Sequence, residues 1–168
     1  EYRNHQVDVA LLPVGATLAV VAADLDDVEV AGWLYPQLAP HAEFVASWGS
    51  ISCVAPMSLA LGRLASCLDR TDQADAHLSA AVDWAREQRT PYHLAEGLLY
   101  RATNLLRRDE PGDLVAAAAL LDECTAVAEP LAAAHRTALA RPALDAAQGG
   151  DGPDARGAAH PRACAPLP

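Results

Sequence analysis

The chain has 168 residues, 52% apolar but only 5% aromatic, and twelve basic residues against twenty-two acidic ones give it a formal charge of −10. One ordinary domain fits that length, and the apolar share can bury a core, so disorder throughout is excluded. All twelve cations are arginine, which removes every mechanism that needs a lysine amine, and the acidic balance disfavours phosphate backbones as partners.

The first stretch, EYRNHQVDVALL, lacks an initiating Met and a signal-peptide n-region and reads as the edge of a fragment. Between residues 1 and 62, Arg3 is the only cation against seven acids, which makes direct nucleic-acid contact by this part unfavourable. Pro13 then opens PVGATLAVVAADL, the first predicted helix, because a proline in the first turn lacks only an N–H that would go unpaired anyway. The turn Asp24-Leu25-Asp26-Asp27 supplies caps for a second helix, which Pro36 should kink or end early. His41 to Ala55, HAEFVASWGSISCVA, interrupts the pattern as a long connection, either functional or a packed Ω-type loop.

Pro56 opens the third predicted helix, MSLALGRLASCL follows, and Asp69-Arg70-Thr71-Asp72 leads into the fourth. Thr90-Pro91 opens the fifth, which ends at Asp109-Glu110-Pro111-Gly112-Asp113 before the sixth. The unit is a helical hairpin met three times, at about 13–40, 56–89 and 91–134. Residues 148–168 hold four Gly and four Pro without periodicity and should form a disordered tail. No apolar run reaches the ~18 residues of a membrane span.

An interval of 43 residues runs through these hairpins. Ala31, Tyr35 and Leu38 recur as Ala74, Leu78 and Ala81 and again as Ala117, Leu121 and Cys124, and Pro13 recurs as Pro56. Each set is one stripe on a helix face, so three equivalent packing sites are predicted. The same logic explains Gly62, which costs a helix about 1 kcal/mol relative to alanine unless a neighbouring helix must come close there.

Leu61-Gly62, Ala65, Ala74, Leu78 and Ala81 resemble the signature of the tetratricopeptide repeat. Two departures stand out: Ala65 replaces that family's usual aromatic, and the interval exceeds its ~34 residues, which implies longer helices. Over residues 6 to 145 the chain is similar to the helical-repeat region of large bacterial multidomain ATPase regulators that carry a LuxR-type DNA-binding domain or an adenylate/guanylate cyclase domain. The resemblance rests on the run from Cys53 to Glu129, including RTPYHLAEGLLYRATNLLRRDEPGD with its turn Pro111-Gly112-Asp113.

The resemblance implies an all-α fold of TPR-like antiparallel hairpins in a right-handed solenoid over residues 1–147. It also implies a protein-protein interaction or regulatory scaffold segment, cytoplasmic and non-catalytic, within a parent whose ATP-binding domain lies elsewhere. The partner would be a protein, a peptide or another domain of the same parent, with neither nucleic acid nor membrane in direct contact. A stand-alone adaptor that binds a short peptide is the alternative.

Candidate chemistry is sparse. Ser50 and Ser52 lie near His41 and Glu43 in the odd connection, but no G-x-S-x-G elbow is present and turn chemistry accounts for them. His77 and His93 could meet across a hairpin junction, yet two histidines do not make a metal site. The pairs Asp26-Asp27 and Asp109-Glu110 are expected at helix starts, complementing the positive end of the dipole. Cys53, Cys67, Cys124 and Cys164 show no C-x-x-C spacing and read as reduced, mostly buried thiols. No catalytic, cofactor or metal residue is assigned, and no cofactor is expected. In the solenoid reading the first helix of each hairpin lines a concave face, which makes Arg63, Ser66, Tyr100, Asn104 and Arg107 the candidates for holding a partner.

Overall fold

The computed structural model describes residues 10–48 and 52–131 and, beyond these, only Pro142 and Asp145. The tail expected at 148–168 and the last residues of the third hairpin therefore lie outside the described residues. The first hairpin is α1 (Leu11–Asp24) with α2 (Val28–Leu38). The second is α3 (Met57–Cys67) with α4 (Thr71–Glu87), and the third is α5 (Pro91–Arg108) with α6 (Asp113–Ala128). The chain is mostly helical, as its alanine-rich, aromatic-poor composition predicts.

One element departs from the all-α expectation. Inside the stretch read as a loop, β1 (Val45–Trp48) pairs antiparallel with β2 (Ser52–Pro56), setting Val45 opposite Pro56, Ala46 opposite Ala55, Ser47 opposite Cys53 and Trp48 opposite Ser52. The register shifts between Ala46 and Ser47, which leaves Val54 as the extra residue of a bulge. Phe44, Val45, Trp48 and Val54, all strand formers, gather in this stretch. Buried Ala46 joins the core of the first hairpin, so the ribbon is anchored rather than loose.

Helix ends follow a common device. At Asp26, Asp69 and Arg89 the backbone turns left-handed, with φ of 54°, 58° and 54°. Each time the N–H of that residue and the N–H of the next donate back across the last turn: Asp27 to Ala22 (2.9 Å) with Asp26 to Ala23 (3.3 Å), Arg70 to Ala65 (2.9 Å) with Asp69 to Ser66 (3.1 Å), and Thr90 to Ala85 (3.0 Å) with Arg89 to Arg86 (3.2 Å). This is the Schellman closure, usually built on glycine. Aspartate tolerates it because its short polar side chain suits the left-handed region, whereas Arg89 carries a cost of about 1 kcal/mol.

The expectation that the acidic turns start the next helices is therefore half corrected. Asp27 does cap α2, its carboxylate accepting from the Val30 N–H at 3.0 Å. Asp26 and Asp69, and likewise Asp109 at φ 56°, instead finish the helix before. The Pro36 expectation holds: α2 stops two residues beyond it and tightens into a single 3₁₀ turn at Ala39–His41.

The repeated stripe is buried. Ala31, Ala74 and Ala117 are fully inaccessible, as are Leu38, Leu78, Leu121 and Cys124. The common interval is filled in two ways, however. Longer helices account for it only in the second and third hairpins, where α4, α5 and α6 have 17, 18 and 16 residues. In the first, α2 has only 11 residues and the β-ribbon supplies the rest.

Small residues set the spacing of the paired helices. A Cβ on Gly62 would lie 2.5 Å from Leu78 Cγ and 3.2 Å from the Leu78 backbone nitrogen, and one on Gly15 would lie 2.7 Å from Leu38 Cδ2. Gly62 of α3 thus admits Leu78 of α4 so closely that no side chain fits between them. Around this seam sit Ala55, Leu59, Ala65, Ala74 and Ala81. A second core joins α3 to the first hairpin and a third joins Val82 of α4 to α5 and α6, so each hairpin rests mainly on its neighbour.

Replacing Gly62 with Ala should therefore destabilise the protein by about 1–2 kcal/mol despite the better helix propensity. Gly32→Ala, whose new methyl meets only Leu68 Cδ2 at 3.7 Å on an exposed helix face, should stabilise by up to about 1 kcal/mol. Urea midpoints of the two variants, opposite in sign, check the assignment.

Candidate functional site

The first helices of the three hairpins lie in a row, α1 packing on α3 and α3 on α5. Along this row Arg63 of α3 bridges both neighbours. Its Nη2 forms an ion pair with Asp24 at the end of α1 and donates to the Val20 carbonyl at 3.4 Å. Its guanidinium carbon lies 4.1 Å from the centroid of the Tyr100 ring on α5. The pairing is physically required: Arg63 is 5% exposed, and an uncompensated buried cation is strongly destabilising. Asp24, at the negative end of the α1 dipole, is likewise unfavourable without a cation beside it.

The five residues expected to line a concave face are thus divided. Arg63 and Tyr100 meet, but Arg63 is interior and holds helices together. Asn104 is fully buried; its Nδ2 donates to the Thr71 carbonyl at 2.8 Å, fixing α5 to the start of α4, while Oδ1 has no hydrogen-bond partner among the described residues. Ser66 is half-buried, and Arg107 is exposed, 3.8 Å from the far more exposed Asp69. Tyr100, Ser66 and Arg107 are the members of the set with surface to offer.

A second polar joint, not anticipated, links the first hairpin to the second. The Tyr35 hydroxyl and His77 Nε2 are 3.0 Å apart, their rings meet edge to face, and the Arg70 guanidinium lies 5.3 Å from the Tyr35 centroid. Assigning the imidazole proton to Nδ1 makes Tyr35 the donor. Burial pulls the His77 imidazole below its ordinary value of 6.5 because the charged ring would lose hydration.

A third joint closes the turn between α5 and α6. Arg108 donates through Nε and Nη2 to the two Asp113 carboxylate oxygens at 2.9 and 2.8 Å, and Asp113 also accepts the Glu110 N–H at 3.0 Å. Hydrogen bonds from Arg108 are the first cause holding the Asp113 carboxyl below the usual carboxylate range, and the same bonds raise the Arg108 guanidinium. The turn Pro111-Gly112-Asp113 is therefore locked by Asp113, the first residue of α6.

The residues weighed for chemistry do not converge. His41 stacks edge to face on Phe44, Glu43 is exposed, Ser50 lies outside the described residues, and Ser52 sits opposite Trp48 in the ribbon. His77 is engaged with Tyr35, while His93 lies beside Trp84 and Tyr92 and 3.5 Å from Glu96. Among the described residues no group of three or more His, Cys, Asp or Glu side chains could hold a metal ion. Cys67 and Cys124 are buried thiols outside any disulfide; burial, aided by nearby Asp26, pushes the Cys67 thiol up to about 11, and the Cys124 thiol donates to the Ala95 carbonyl at 3.3 Å. No described helix is long and apolar enough to cross a membrane.

Comparison with known proteins adds no relative: no family model matches the chain, and neither a curated protein nor a solved structure does.

Two outcomes follow from the joints. Asp24→Ala should cost about 2 kcal/mol, less than a fully buried pair because Asp24 itself is partly exposed, read as a lowered urea midpoint. For His77 the unfolded chain takes up a proton more readily than the native one, so stability should fall as pH drops through 6.5. His77→Gln should flatten a denaturation series over that window relative to the parent.

Proposed function

We propose that this chain is a non-catalytic interaction segment: a stack of TPR-like hairpins serving as a regulatory scaffold within a larger cytoplasmic bacterial signalling or transcriptional regulator, whose ATP-binding and output domains lie elsewhere. The observation that carries this reading is how the polar side chains are spent. Arg63 with Asp24 and Tyr100, Tyr35 with His77, Asn104 with the Thr71 carbonyl, and Arg108 with Asp113 each fasten one helix or hairpin to the next. They supply neither a nucleophile with its base nor a ligand cluster. Contact of α3 with both α1 and α5 is consistent with a solenoid, which uses successive first helices to present one long face to a partner.

On this reading the partner-facing members of the original set are Ser66, Tyr100 and Arg107, with Arg63 supporting Tyr100 from beneath. Cation–π support of a half-exposed tyrosine restrains a large amphipathic contact surface at low entropic cost.

The test is deletion of residues 10–131 from the parent reading frame with measurement of its regulated output, alongside Ser66→Glu with Arg107→Glu in the intact parent. Altered output on deletion, together with at least fivefold weaker association between this segment and its partner domain at an unchanged melting temperature for the double variant, is the expected result. Regulation that survives the deletion intact would reject the scaffold role.

A further inference from the structure

Helix α1 carries an apolar stripe that the described fold does not cover. From Val9 to Ala23 no residue is charged, and on the outward side Val14, Leu18, Val21 and Leu25 remain 40%, 43%, 46% and 67% exposed. A helix apolar on all sides belongs in an interior. Four such residues at helical spacing form one continuous surface rather than scattered exposure.

The molecule itself shows what covers such a stripe. Advancing by the 43-residue interval carries Val14, Leu18, Val21 and Leu25 onto Met57, Leu61, Leu64 and Leu68 of α3. There the first three are fully buried and the fourth is partly buried, all in the core formed with the first hairpin. Their neighbours in that core are Ala31, Leu34 and Leu38 of α2, and Leu68 Cδ2 lies over Gly32. Pro13 lies in the first turn of α1 and Pro56 immediately precedes α3, and both helices end in the same Schellman closure at Asp26 and Asp69. α1 therefore has the outer face of a helix meant to follow another hairpin.

We infer that the Val14–Leu25 face of α1 seats a further helical hairpin whose second helix presents a stripe of the Ala31-Leu34-Leu38 kind. A second copy of this chain does not fit as the occupant, because in each copy that α2 stripe is already covered by α3. A charged partner does not fit either, since the stripe offers nothing to pair with. The inference rests on packing alone and is independent of the regulatory role proposed above.

The test extends the intact chain with a duplicate of residues 11–53 inserted directly before Leu11. Leu11-Leu12-Pro13 then stands where Val54-Ala55-Pro56 stands before α3, and the interval is preserved. The added hairpin should raise the helical circular dichroism signal and slow amide hydrogen exchange at Leu18 and Val21 by at least about tenfold. Leu18→Glu with Val21→Glu should abolish that slowing in the extended chain while leaving the urea midpoint of the unextended chain unchanged. An extension that gains no helix, or gains it without slowing α1, overturns the inference. So does an unextended chain that sediments as a dimer dispersed by the same two substitutions, because a second copy would then be the occupant.

Discussion

The close approach of α3 and α4 at Gly62 is the constraint on which the rest depends. With a Cβ there the helices would have to part, and Leu78 would lose the slot that buries it completely. Once the two axes are fixed, Ala65, Ala74 and Ala81 can meet without voids. Tyr35 and Tyr100, packed against this seam, are set where His77 and Arg63 reach them. Alanine supplies little apolar area per residue, so a core built from it gains stability through density, and density demands the correct axial distance.

The hairpins are joined by two kinds of force with different tolerances. Apolar seams between α2 and α3 and between α4 and α5 are non-directional and accept small shifts. The charged joints do not: Arg63 must satisfy an anion on one side and an aromatic face on the other while excluded from water. Arginine suits this position because its planar, weakly hydrated cation can stack and pair at once, which a lysine ammonium does less well. A chain without lysine thus has the right cation for joints buried between helices.

Much of the architecture is legible in the sequence. Prolines at 13, 56 and 91 mark helix starts because a missing N–H matters least there, and the recurring small-large-small stripe marks buried faces because only one helical face can be hidden in a pair. The β-ribbon is not legible in the sequence because its strands have four and five residues, too short for alternation to stand out beside a strong helical period. Aspartate serves both as an N-cap and in the left-handed turn, so composition cannot tell whether Asp26 and Asp69 start one helix or finish another. The burial of Arg63 and Asn104 was equally hidden: whether a polar residue faces a groove or a neighbouring helix depends on a partner 39 or 33 residues away.

Because each hairpin leans chiefly on the one beside it, mechanical load has no shared clasp to resist it. Tension along the row would meet the seam between α4 and α5 and the one between α2 and α3 separately. The array would lengthen in steps, each releasing one hairpin while its neighbours kept their own Schellman closures. A stack built this way yields hairpin by hairpin and does not lose its fold at a single stroke.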